Sequence, residues 1–299
     1  MSALGSCSNA PQAVVVGQIA RDLVLEVDRL PSVGGSAPVG KRIERLGGKG
    51  ANHALGLRQL GIASAVVGVV GTDDAGDAVL EEAARERIDT SVITRRGRTA
   101  LLVDLVVDGG RRLFEDVPGS ALTTPDDVAS ASAVFMTASV VTLQLQQPAD
   151  ALLRAAQLAQ SAGARIVLDG ATGTDDDALV EVADVVRADA IEAEILTGSG
   201  IASRQDAARA TRQLLGRGAS VAAVTVPGAG DFVDWGTGSA FLPYGDIEVV
   251  DPTGGGDAFV AGLVAALISG ADPRSAAESA ARAAASTVAH LGGRPDLSS

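Results

Sequence analysis

Along the chain, short apolar runs alternate with stretches whose apolar residues recur at helical spacing. The runs at 13–17, 65–70, 133–137, 165–169, 184–187 and 221–226 read as strands. The stretches at 50–60, 77–87, 149–162, 206–217, 256–269 and 273–290 read as helices. This alternation predicts an α/β fold, a mainly parallel central sheet flanked by helices on both faces. Ligands of such sheets bind outside the carboxyl ends of the strands. Gly17, Asp169, Asp189 and Asp251 fall at or just after strand ends, so one rim is expected to collect them.

Two stretches break the alternation. Segments 21–45 and 99–115 have β-like patterns with turns at 31–34 and 108–110. Asp108-Gly109 between two runs is a hairpin signal. These segments predict a small separate sheet. It is either a flap that keeps water from an active site or an ordinary surface hairpin.

The candidate chemistry is concentrated at 251–257, Asp-Pro-Thr-Gly-Gly-Gly-Asp, with a short strand expected at 247–250 before it and an apolar helix after it. Three glycines let the backbone bring its N–H groups close to a ligand, and the helix aims its positive end at the same spot. Asp257 sits beside this anion cradle. Two readings stand: a helix N-cap, or a base that takes the proton of a hydroxyl attacking a phosphoryl group. Gly228-Ala229-Gly230-Asp231 looks similar, but residues 232–236 after it are Gly-broken and too short for a buried helix, so it reads as a hairpin or strand-end turn. The run Asp175-Asp176-Asp177 reads as a solvated loop and helix start. At 47–52, Gly-Gly-Lys-Gly-Ala-Asn opens another helix and places Lys49 and Asn52 where they reach a ligand; it is not a Walker A loop.

Composition narrows the class. With 299 residues, 46% apolar, the chain buries a large core. Its uncharged stretches are too short to span a bilayer, no secretory leader is visible, and the single Cys7 makes no internal disulfide, so a cytoplasmic protein is expected. A formal charge of −13 and scattered basic residues argue against nucleic acid as a partner. An acidic chain that binds an anionic cofactor needs a local positive site, from helix N-termini, a metal ion and a few cations.

The two glycine motifs, in this order and about 200 residues apart, resemble the two signatures of the ribokinase-like (PfkB) family of carbohydrate kinases. The resemblance runs from Gly17 to Pro295. It implies a single kinase domain over 1–299 with a small β-sheet lid formed by about 18–45 and 97–118. The implied activity is ATP-dependent phosphorylation of a hydroxyl of a sugar or sugar-like polyol, with Mg2+ and also K+. By the resemblance, Asp257 is the catalytic base and Gly254, Gly255 and Gly256 form the anion hole. Asp22, Gly48, Lys49, Asn52 and Gln146 fall at the acceptor site. Asp189, Thr225 and Gly230 fall in the nucleotide region. Glu192 organises Mg2+ through water, and Asp251 and Thr253, with the loop 292–295, resemble a monovalent-cation site. Family members often dimerise through the lid.

The chain departs from the family pattern at Ala20 and Arg21, where an asparagine precedes the sugar-binding aspartate, and at Gln146, Asp189, Pro227 and Asp296. Arg21 either binds a phosphorylated sugar or lies on the surface. Nucleosides and phosphosugars therefore stay open as acceptors, as does a sugar-binding regulator without turnover. A dinucleotide-binding protein is disfavoured, because no Gly-x-Gly-x-x-Gly opens a helix after the first strand. Neither histidine is given a part in catalysis; His53 and His290 read as structural.

Overall fold

Val14 and Val16 face one side of the first strand and Ala13 and Val15 the other, and all four are buried. A strand buried on both faces belongs inside a sheet covered by two helical layers. β1 (Ala13–Val16) indeed lies between β4 (Ser64–Val67) and β9 (Val140–Gln144), parallel to both. Parallel pairing continues through β10 (Arg165–Asp169), β11 (Val185–Ala188) and β12 (Val221–Val226). β13 (Gly230–Asp234) and β14 (Ser239–Pro243) close the far edge antiparallel. The eight-stranded order is β14-β13-β12-β11-β10-β9-β1-β4. This computed structural model describes residues 10–297 except 108, 109, 174, 175, 246–248, 252 and 291.

One face of the sheet is covered by α3 (Pro125–Ser130), α4 (Ser132–Phe135), α5 (Ala149–Ala162), α6 (Asp176–Val182), α7 (Ala190–Thr197) and α8 (Arg204–Gly216). The other is covered by α1 (Lys49–Gln59), α2 (Asp74–Arg85), α9 (Gly255–Ile268) and α10 (Pro273–Val288). Small residues bring α1 and α9 together: a Cβ on Gly56 would lie 2.7 Å from the Ala261 Cβ. That close approach lets the two helices start at one place.

The separate sheet is present. β2 (Ala20–Glu26), β3 (Lys41–Gly47), β7 (Ala100–Val107) and β8 (Gly110–Asp116) pair in the order β3-β2-β7-β8. The Asp108-Gly109 turn lies outside the described residues, but the β7–β8 hairpin that it predicts is formed. Gly228 lies in the β12–β13 turn, as the sequence indicates.

Three expectations fail. The apolar run 133–137 is not a strand: it holds α4, whose Phe135 is fully buried, and the strand comes later as β9. β9 is masked in the sequence by Thr142 and Gln144, polar residues that are completely buried in the sheet. The run 65–70 divides at Gly68, and its second half, β5 (Val69–Val70), pairs with β6 (Thr94–Arg95). Val249 and Val250 carry no strand, while 247 and 248 lie outside the described residues. Helix starts shift where a cap decides them. α2 begins at Asp74 because the Asp73 carboxylate accepts the Gly76 N–H. Asp175 is outside the described residues, and Asp176 opens α6, accepting the N–H groups of Thr172 and Gly173.

Candidate active site

Gly48 and Gly254 hold the N-cap positions of α1 and α9, with φ of 86° and 72°, and neither helix has a side-chain cap. Apart from the Ala51 N–H, which donates to the Gln18 carbonyl at 3.2 Å, their first N–H groups are thus left for a ligand. At Gly254 no other residue fits, since a Cβ would stand 1.7 Å from the Gly293 carbonyl oxygen. Asp257 is not the cap of α9 but lies three residues after it. Its Oδ2 accepts a hydrogen bond from Asn52 Nδ2 at 2.8 Å. The two helix starts open onto one cavity of about 730 Å3. Its walls come from the second sheet (Asp22, Asp104, Arg111), from the rim (Gln146, Arg187, Gly254–Asp257), and from an apolar slot beside β14 and α10 (Tyr244, Val249, Ala285).

Behind the cradle lies a network of buried charge. Asp169, at the end of β10, has no exposed surface. Arg187 Nη1 approaches its Oδ1 at 3.1 Å, Lys49 Nζ its Oδ2 at 3.9 Å, and His53 Nε2 the same Oδ2 at 3.5 Å. Lys49 also donates to Glu192 Oε1 at 3.0 Å. His53 is fully buried, and its Nε2 lies 3.5 Å from Asp257 Oδ1 as well. Burial works against the charges of Asp169, Lys49, Arg187 and His53, but their partners win. Asp169 is held well below the ordinary carboxylate range despite its burial, by Lys49, Arg187 and His53. Lys49 and Arg187 are pushed upward, and His53 rises to about 9 through Asp169 and Asp257. The Arg187 guanidinium lies over the cradle itself: a Cβ on Gly256 would meet Nη2 at 2.6 Å.

The roof of the cavity is different. Asp22 is buried, and its Oδ1 has no hydrogen-bond partner. Burial first, and the Asp104 carboxylate second, push it up to about 7. Asp104 pairs with Arg111 across the β7–β8 hairpin, with Nη2 3.1 Å from Oδ2. Carboxylates and a guanidinium facing a concave wet site suit a hydroxyl-rich ligand.

A carboxylate at the mouth of an uncapped, glycine-opened helix, facing a polar roof, is an arrangement for passing an anionic group to a hydroxyl. The family model for pfkB family carbohydrate kinases matches residues 10–299. This chain belongs to the pfkB family of carbohydrate kinases. It is a phosphotransferase with an alcohol group as acceptor. Among curated relatives, the Mus musculus ribokinase is 30% identical over 85% of this chain and 81% of its own. An ATP-dependent ribose-1-phosphate kinase from Halopiger xanaduensis is 29% identical over 93% and 92%. The structure of Arabidopsis thaliana ribokinase complexed with ribose and ATP superimposes with a TM-score of 0.81 at 25% identity, covering 96% of each chain.

In this pfkB kinase most of the residues expected from the sequence line the one cavity: Asp22, Gly48, Lys49, Asn52, Gln146, Asp189, Thr225, Thr253, Gly254, Gly255, Gly256 and Asp257. Three do not. Gly230 is used for strand packing, since a Cβ there would stand 2.2 Å from the Leu242 carbonyl oxygen. Glu192 lies behind the wall, where it accepts the Asp189 N–H at 2.8 Å while Asp189 accepts the N–H groups of Ile191 and Glu192. Asp251 is buried and ties two loops together, Oδ1 accepting from the Thr253 N–H and hydroxyl, Oδ2 from the Gly292 N–H at 2.7 Å. Lys49 turns its ammonium to Glu192 and Asp169 rather than to the roof. Arg21 pairs with Glu44 on the second sheet and is absent from the cavity wall, where Arg111 stands instead.

Sequence reasoning missed His53, Arg187, Asp231 and the Asp104–Arg111 pair. Asp231 accepts the Thr225 hydroxyl at 2.7 Å, and burial raises its pKa. His53 follows Lys49 by four residues and so shares its helix face, a signal available in the sequence. Arg187 was visible as a cation at a strand end.

Proposed function

We propose that the kinase transfers the γ-phosphoryl group of ATP to a hydroxyl of a sugar or sugar-like polyol. The observation that carries this reading is Asp257, a cavity-facing carboxylate held by Asn52 at the start of α9. Asp22, Gly48, Asn52 and Gln146 hold the acceptor's hydroxyls, with Lys49 behind them. Asp257 accepts the proton of the attacking hydroxyl as its oxygen bonds to phosphorus. The bond from phosphorus to the bridging oxygen of ADP breaks, and ADP carries the electron pair away. Charge on the transferring group meets the N–H groups of Gly254, Gly255 and Gly256 and the Arg187 guanidinium, placed before the reaction begins. Asp189 and Thr225 belong to the nucleotide end of the site, and Gly230 packs β13 against β14 behind it.

The donor set suits hard cations. Glu192 would hold Mg2+ through water, and the ion would neutralise phosphate charge when bound. Asp251 and Thr253, already joined to the 292 loop, would hold K+ and keep the cradle in shape. Residues 1–299 act as one domain, with the second sheet as a lid over the acceptor. β8 is an edge of that lid exposing Leu113 and Phe114, which supports homodimer formation through it.

A phosphosugar acceptor is the second reading. It is favoured by Arg111 in the cavity wall, a guanidinium able to grip a phosphate, and by the similarity to a ribose-1-phosphate kinase. ADP release from ATP, Mg2+ and K+ with pentoses, hexoses, nucleosides and phosphosugars tests both. Turnover with free sugars supports the first, and turnover confined to phosphosugars the second. Silence with ligand-raised melting temperatures would make the protein a non-catalytic binder.

A further inference from the structure

His53 is a buried titratable group at the site that the transfer step leaves without work. Its ring has no exposed surface, and neither nitrogen has a hydrogen-bond partner within the protein. Nε2 stands 3.5 Å from Asp257 Oδ1 and 3.5 Å from Asp169 Oδ2. Asn52, the adjacent residue of α1, holds the other oxygen of Asp257 at 2.8 Å. Two consecutive residues at the start of one helix therefore face the two oxygens of one carboxylate, Asn52 by a hydrogen bond and His53 at ion-pair distance. A nitrogen placed between two carboxylate oxygens must carry a hydrogen, since a bare ring nitrogen would set lone pair against lone pair.

We propose that His53 is a positioning residue, which through Nε2–H aims the Asp257 carboxylate and ties it to the Asp169 network behind the phosphate cradle. This rests on the reading of Asp257 as the base. The charges around the ring agree with it. Asp257 comes from α9 and Asp169 from β10; Asp169 is in turn faced by Arg187 from β11 and Lys49 from α1, and Lys49 by Glu192 from α7. Among these groups three carboxylates and two cations leave one negative charge, which an imidazolium cancels; Asp231 of β13 also faces Arg187, and burial raises its pKa. Burial alone would strip the proton from His53, yet the two carboxylates raise its pKa to about 9. The donor atoms of His53, Asp169 and Asp257 lie within 4.8 Å of one another, as a metal site would need. Lys49 and Arg187 already neutralise Asp169, however, and the ring proton fills the space between the oxygens. The link is also one between the two halves of the reaction: Asp257 handles the acceptor, while Arg187 lies over the glycine cradle.

The test compares His53→Gln, which keeps a donor near the Nε2 position, with His53→Leu, which fills the space without one. With acceptor-dependent ADP release, His53→Leu is expected to lower kcat by about a hundredfold, the scale of a misplaced catalytic group. Acceptor KM should change little, and His53→Gln should restore most of kcat. In His53→Leu the acid limb of the kcat/KM profile should move to higher pH, because a cation beside Asp257 is gone. Unchanged kcat in His53→Leu, or equal losses in both variants, would overturn the inference. Asp257→Asn runs alongside: if it keeps kcat, the base assignment itself fails; if it is inactive while His53→Leu is normal, only the role of His53 fails. Should His53→Leu not fold, imidazole NMR decides. The chain has only two histidines, so His290→Gln isolates the His53 signal. A ring protonated at pH 7.5 that loses its proton more readily in Asp257→Asn supports the link; a neutral ring indifferent to Asp257→Asn overturns it.

Discussion

The floor and the roof of the cavity are both charged, but their charges are balanced to different degrees. On the floor, Asp169, Arg187, Lys49, Glu192, His53 and Asp257 face one another at 3.0–3.9 Å. That network sets every buried charge against an opposite one before any ligand arrives, with Asp169 Oδ2 and His53 Nε2 in ion-pair range but making no hydrogen bond. On the roof, Asp22 has a buried oxygen without a partner and shares its surroundings with a second carboxylate, Asp104. If the proposed function holds, the floor keeps charges still while phosphate moves, and the roof leaves polar atoms for the acceptor to satisfy. A missing hydroxyl would leave the roof unpaired, which is how such sites reject wrong ligands. On the proposed reading, chemistry is carried by the floor and selection by the roof.

Damage to the floor should cost turnover, with the largest loss at Arg187. Arg187→Ala leaves Asp169 and Glu192 short of a cation and bares the cradle. We expect kcat to fall about a thousandfold, as for other arginines facing a transferring phosphoryl group. A stability loss of about 3–5 kcal/mol in urea unfolding should accompany it, from the broken buried pair. Gly254→Ala comes next. Its Cβ would collide with the Gly293 carbonyl, so the cradle must shift, and a loss of about a hundredfold in kcat is expected in steady-state assays. A variant as active as the parent would show that the cradle is not where charge develops.

Damage to the roof should cost affinity instead. Arg111→Ala, which frees Asp104 and removes a cavity-wall cation, should raise acceptor KM about tenfold with kcat nearly kept. An equal fall in kcat would erase the distinction between roof and floor. The smallest effect is one of pH. Asp22 titrates at about 7 in the folded protein, above its ordinary value of 3.8. Folded protein therefore holds this proton longer than unfolded protein, and the stability tied to it is lost as pH rises from about 4 to about 7. The ionised carboxylate accepts hydroxyls better than the acid does. Acceptor KM should then fall severalfold as pH climbs through 7, and Asp22→Asn should flatten the profile.

How far the sequence revealed all this depends on range. The cradle was legible because glycines, Asp257 and an apolar helix follow one another within a few residues. The second sheet was legible from the β-like segments that interrupt the helical pattern. β9 was not, because its buried Thr142 and Gln144 break the apolar run that marks the other strands. The floor network was hidden for another reason. His53, Asp169, Arg187, Glu192 and Asp257 sit on five different elements, and only the sheet's parallel order brings them together. The glycine motif that begins α1 predicts Lys49 near the acceptor, but two buried carboxylates draw its ammonium to the floor.

The central claim, that Asp257 acts on the acceptor's hydroxyl, is tested most directly by Asp257→Asn with turnover and acceptor binding measured on the same preparation. The account predicts acceptor-dependent ADP release reduced by about a thousandfold or more, with calorimetric acceptor affinity within a few-fold of the parent. Full turnover in Asp257→Asn would contradict it, and so would lost turnover explained wholly by lost acceptor binding.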